Sequence, residues 1–181
     1  FGFTKNGNYF YTSSESGILK IYDTSTTNLL YETEISDSQF SVITAYNEDV
    51  WITFSEDKTP QIWKFSENSL EQLSFLQTNS AVDIHFSYDD NYIVALTENK
   101  VNVYDTNKAS LLYSVPNPTD NSEIFRVEIS PKSNYLTLIA TNTQTYVYDL
   151  KSGKFLFEIN EHKNAINLFL FGTVFPSVHF T

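Results

Sequence analysis

A chain of 181 residues, 41% apolar and 16% aromatic, can fill a packed core, which excludes a disordered segment. Eleven lysines and arginines face 22 aspartates and glutamates, a net charge of −11 that repels phosphate backbones and disfavours direct binding of nucleic acid. Cysteine is absent, which excludes disulfides, thiolate catalysis and cysteine-ligated zinc or iron–sulfur sites. The longest apolar run, 166–175, is interrupted by Asn167, Gly172 and Thr173 and is too short to span a bilayer. There is also no Asn-x-Ser/Thr acceptor with an allowed middle residue, and the two absences together point to an intracellular setting, cytoplasmic or nuclear. Because the sequence opens on Phe1-Gly2-Phe3 and not on Met, we expect a piece of a longer protein.

In chain order, the first recurring stretch is Ile21-Tyr-Asp-Thr-Ser-Thr-Thr-Asn-Leu-Leu-Tyr-Glu32. It returns as Val103-Tyr-Asp-Thr-Asn-Lys-Ala-Ser-Leu-Leu-Tyr-Ser114 and, more loosely, as Val147-Tyr-Asp-Leu-Lys-Ser-Gly-Lys-Phe-Leu-Phe-Glu158. Aligning these stretches puts Tyr22, Trp63, Tyr104 and Tyr148 in one series at intervals of 41, 41 and 44. A second series, Tyr9, Trp51, Tyr92 and Tyr135, runs at 42, 41 and 43. Two phase-locked series of this period in strand-rich sequence are the signature of four-stranded propeller blades. The third unit shows the four strands directly. Ala81 to Phe86 alternates apolar and polar, Ser87 to Asn91 is turn material, and Tyr92 to Thr97 is a buried-strand run. After the tight Glu98-Asn99 connection, Val101 to Tyr104 alternates again, 105–110 turns, and Leu111 to Val115 closes the sheet. A helical repeat is disfavoured, because no window sustains apolar residues at helical spacing. The expected fold is all-β, with blades of four antiparallel strands over 1–38, 39–79, 80–121 and 122–162 and the start of a further blade at 163–181, all in one propeller domain. Either Ala165 to Phe171 or Val178 to Thr181 could be the inner strand of that fifth unit.

At Ser55-Glu-Asp57-Lys-Thr59-Pro-Gln-Ile62-Trp63 the sequence resembles the WD40 family, and the likeness extends over essentially the whole chain. Its name-giving dipeptide stands as Tyr-Asp at 22–23, 104–105 and 148–149 and as Trp63-Lys64. The resemblance implies that Asp57 is a structural turn residue between second and third strands, and that the chain is a fragment of a larger, about seven-bladed propeller. Departures are Pro60, the missing Gly-His pair, and Ser16, Glu98 and Asn142 where the turn aspartate belongs.

No glycine-rich phosphate loop, nucleophile elbow or calcium-loop spacing occurs, so no catalytic, cofactor or metal residue is assigned and no cofactor is expected. His85, His162 and His179 are far apart in sequence, and Asp89-Asp90 and Glu32-Thr-Glu34 read as turn or solvent-face charges. The expected function is a non-catalytic scaffold that binds other subunits of an assembly through the loops at Asp37, Gln39, Glu56, Asn79, Glu98, Asn121, Asn142 and His162. Two alternatives stand beside it. The phrases at 86–90, 129–133 and 147–154 are similar to propellers of eukaryotic translation initiation factors, associated with the ribosome. An enzyme with a central-channel site would draw on Asp83, His85 and Glu128.

Overall fold

The computed structural model describes residues 1–47, 49–55, 58–66, 68–78, 81–118, 123–141 and 144–160. The described strands form four antiparallel sheets of four, each in chain order: β1 (Gly2–Phe3), β2 (Tyr9–Ser13), β3 (Ile18–Asp23) and β4 (Leu29–Glu34); β5 (Ser41–Thr44), β6 (Val50–Ser55), β7 (Lys58–Ser66) and β8 (Ser69–Phe75); β9 (Asp83–Phe86), β10 (Tyr92–Leu96), β11 (Lys100–Asp105) and β12 (Ser110–Pro116); β13 (Ile124–Ile129), β14 (Tyr135–Ala140), β15 (Thr145–Asp149) and β16 (Phe155–Ile159). No helix occurs among the described residues.

Each sheet is apolar on both faces, so it cannot stand alone, and the sheets stack in chain order. Leu19 and Ile21 pack with Trp51 and Phe65 between the first two. Ile52 and Ile62 meet Ile93 and Tyr104 between the second and third, and Val94 and Val103 meet Leu136 and Tyr148 between the last two. Each fully buried large side chain of this kind contributes about 1.5–3 kcal/mol. β9 lies beside both β5 and β13, so the first strands are inner edges and the fourth strands outer ones. Tyrosine hydroxyls also cross between sheets, Tyr11 donating to the Val42 carbonyl at 3.1 Å and Tyr113 to that of Leu150.

The strand register corrects one detail of the repeat. Tyr9 pairs with Asp23, Tyr92 with Asp105 and Tyr135 with Asp149, and the residue in that place in the second sheet is Val50, paired with Lys64. Trp51 pairs with Trp63 and therefore corresponds to Phe10, Ile93 and Leu136. A slip of one residue exchanges the two faces of a strand, so this assignment decides which aromatic row meets which neighbour.

Between third and fourth strands every sheet carries a bulge at the same place. Ile21 pairs with Tyr31 but Tyr22 with Leu29, leaving Leu30 extra, and the same step leaves Leu73, Leu112 and Leu156 extra in the other sheets. A bulge bends an edge strand and spoils its ladder, which protects the outer edge from pairing with another chain.

Candidate functional site

Because the sheets are meanders, their turns sort to two ends. The turns from first to second and from third to fourth strand share one end, and the hydrogen bonds there are structural. In the first-to-second turn, buried hydroxyls accept the amide five residues on: Thr4 from Tyr9 at 3.1 Å, Ser87 from Tyr92 at 2.9 Å and Ser130 from Tyr135 at 3.0 Å. In the third-to-fourth turn, Asp23 accepts the amides of Ser25 and Thr26 at 2.9 and 2.7 Å, Asp105 that of Lys108 at 2.9 Å, and Asp149 that of Ser152 at 2.8 Å. The Ser25 hydroxyl, then the backbone and side chain of Thr26, hold the Asp23 carboxyl down at about 2, and the Ser152 hydroxyl lowers that of Asp149. For Asp89, burial works to raise the pKa, but hydrogen bonds from Ser87 and Asn91 outweigh it and the net shift is downward.

Asp90, read from sequence as a turn or solvent-face charge, sits in the turn between β9 and β10 and is only 5% exposed. Its two carboxylate oxygens accept the Tyr46 and Asn47 amides of the preceding sheet at 2.7 and 2.6 Å, so it staples one sheet to the next. Ser133 makes the corresponding link, its hydroxyl accepting the Asp89 amide at 3.2 Å. Above the staple, Tyr46 stacks on Tyr88 with ring centroids 4.6 Å apart, and the Lys5 ammonium sits 5.2 Å from the Tyr46 ring. Burial and the nearby Tyr88 push the Tyr46 phenol pKa up.

The opposite end gathers the second-to-third turns and the connections between sheets. Of the loop residues expected to meet partners, Asp37, Gln39 and Glu98 lie here; Glu56, Asp57, Asn79, Asn121, Asn142 and His162 lie outside the described residues, as do both candidates for a fifth inner strand. Asp37 is ion-paired with Lys58, which also donates to the Ser36 hydroxyl at 3.0 Å, and the Lys58 hydrogen bond holds the Asp37 carboxyl below its ordinary range. Gln39 lines an open groove of about 400 Å³ with Ser38, Phe40, Phe54, Ser55 and Val82. Glu98 borders a second opening with Gln77 and Lys100, apart from the groove that Gln39 lines.

The inner strands hold a hydrogen bond between His85 and Asp83 at 2.8 Å on β9 and an ion pair of Arg126 with Glu128 on β13. Among the described residues no group of three or more His, Asp or Glu is placed to hold a metal ion, and no helix is long and apolar enough to cross a membrane.

The outward face of the first sheet presents a row in direct register, Phe3, Phe10, Tyr22 and Leu29. Phe10 and Tyr22 stack at 4.6 Å, while Phe3 is 61% and Leu29 48% exposed. Comparison with protein-family models finds none that matches the chain, and no curated protein matches it.

Proposed function

We propose that the chain is a non-catalytic protein-interaction module built of WD40-type propeller blades, working inside a larger protein or multisubunit intracellular assembly. One observation carries the reading. By register, the row Phe3–Phe10–Tyr22–Leu29 holds the place that Trp51 with Trp63, Ile93 with Tyr104 and Leu136 with Tyr148 hold in the three interfaces between sheets, yet it faces outward. A face of that composition is made to be covered, and further blades completing a ring would cover it. Loops carried on packed sheets suit partner binding without a catalytic group. The inner-strand carboxylates favour an enzyme less, since Asp83 is hydrogen-bonded to His85 and Glu128 is ion-paired with Arg126 on the same strand.

Cross-linking of the native protein through its lysines, followed by mass spectrometry, tests the reading. A stoichiometric protein partner attached at Lys58 or Lys100, beside the connections, is the expected result. Turnover of a small substrate that depends on His85, with no protein partner retained, would reverse it.

A further inference from the structure

One place in the interfaces between sheets is filled by large side chains in two of them and by small ones in the third. By register, Tyr9, Val50 and Tyr92 share a position at the start of the second strand, and Tyr31, Ser74 and Tyr113 share another on the fourth. The next sheet meets them with Phe65, Thr106 or Leu150, whose amides donate to the equivalent carbonyls of Asp49, Asn91 and Asn134. Between the first and second sheets, Tyr9 meets the Phe65 ring edge-on at 5.0 Å and Tyr31 meets it at 6.3 Å. Between the third and fourth, Tyr92 and Tyr113 pack against the cluster that contains Leu150, and the Tyr113 hydroxyl donates to the Leu150 carbonyl. Between the second and third, the same positions hold Val50, Ser74 and Thr106 and carry no ring.

An open groove of about 420 Å³ stands there, with Val50, Leu73 and Thr106 in its walls. Leu73, the extra residue of the bulge, is 51% exposed and gives the groove an apolar side. Thr106 is only 6% exposed, yet its hydroxyl has no hydrogen-bond partner among the described residues. Packed interfaces seldom leave both space and an unmet polar atom in one place. The rim is made by Asn47, Asn107, Asp49 and Lys64. Among the described residues, Asp49 and Lys64 are in no ion pair, and the side-chain amides of Asn47 and Asn107 make no hydrogen bond. Two free amides with one charge of each sign complement the dipolar, uncharged backbone of a peptide. The other two interfaces show which side chain such a groove takes, the ring of a tyrosine.

Resting on the interaction-module reading, we infer that the groove between the second and third sheets takes a tyrosine side chain from a peptide segment of a partner protein. The ring fills the place that Tyr31 and Tyr113 fill elsewhere, and its hydroxyl donates to the Thr106 carbonyl as that of Tyr113 does to Leu150. The backbone amides on either side of the ring meet Asn47 and Asn107. Titration of the full chain with N-acetyltyrosinamide, followed by NMR at the methyls of Val50, Leu73 and Thr106, tests it. Saturable shifts centred on those methyls are expected, and N-acetylphenylalaninamide, which lacks the hydroxyl, should bind about threefold to tenfold more weakly. Ser74→Tyr, which restores the ring of the other sheets, should weaken binding at least about tenfold by occupying the groove. Leu73→Ser, at an exposed position that folding does not depend on, should weaken it about threefold or more, while Leu112→Ser, the same bulge place in the third sheet, should leave it unchanged. The absence of saturable shifts at these methyls, or binding that survives Ser74→Tyr, would overturn the inference. Binding of p-cresol as tight as that of N-acetyltyrosinamide would also overturn it, by assigning the groove to a free phenol. A partner protein cross-linked equally well to the native chain and to Ser74→Tyr would remove this inference while leaving the module reading in place.

Discussion

Asp90 is the residue on which the stacking of the second and third sheets turns. Two backbone amides of the neighbouring sheet end on its carboxylate inside a nearly closed contact. Truncation strands both donors, and each buried unsatisfied group costs about 1–3 kcal/mol. Asp90→Ala should therefore lower the unfolding free energy by about 2–4 kcal/mol in urea titration, and Asp90→Asn, which keeps one acceptor, by roughly half as much. A loss no larger than that of an exposed turn aspartate would contradict the staple. Asp23 acts through protonation. Its folded pKa, about 2, lies below the ordinary 3.8, so its contribution is complete above the higher value and is lost as pH falls toward the lower. Asp37, Asp89 and Asp149 are shifted the same way. Stability should fall between about pH 4 and pH 2, and Asp23→Asn should flatten part of that slope in acid unfolding curves; an unchanged profile would show that the turn bonds do not couple to folding.

At the scale of the element, the turns between third and fourth strands impose a left-handed residue at one recurring place: Thr27, Asn68, Ala109 and Gly153, with φ of 60°, 58°, 51° and 69°. Only glycine takes this conformation without strain, and a β-branched residue is the least suited. Thr27→Gly should raise stability by about 0.5–1 kcal/mol by thermal or chemical unfolding, the relief of strain exceeding the added freedom of the unfolded chain. The opposite case is Gly17, at φ +78° in the turn between β2 and β3, where a Cβ would run into the Ser36 carbonyl oxygen. Gly17→Ala should cost about 2 kcal/mol or more and loosen the first inter-sheet connection, visible as faster exchange of the Ile35 amide, which donates to the Gly17 carbonyl at 2.9 Å.

These elements also show what could be read in advance. The third-strand aromatics were legible because packing between neighbours demands a large side chain there in every unit, and Tyr104 and Tyr148 are indeed buried. The second series stands one residue off at Trp51, since type alone cannot tell which face of a strand an aromatic occupies. The Leu30, Leu73, Leu112 and Leu156 series stands in the sequence at intervals of 43, 39 and 44, but an extra residue in a strand carries no composition signal. Asp90 is legible as a turn charge but not as a link between sheets. Its neighbour Asp89 does cap a local turn, and nothing in the pair Asp89-Asp90 says that the second carboxylate reaches a different sheet. The candidate loop residues were legible only as loops, because their chemistry depends on what the stack brings beside them, as Lys58 is brought to Asp37.

For the molecule as a whole, each sheet leans on its neighbours in sequence, so stability accumulates along the chain as in other repeat architectures, and the first sheet has a described neighbour on one face only. The proposed module depends on that order of stacking. Proton–proton contacts in a nuclear Overhauser spectrum of the native chain measure it directly. The account predicts cross-peaks between the rings of Tyr11 and Trp51 and between those of Tyr46 and Tyr88, whose centroids lie 5.4 and 4.6 Å apart across consecutive sheets. Ring contacts confined to single units, with none joining 1–38 to 39–79 or 39–79 to 80–121, would contradict it.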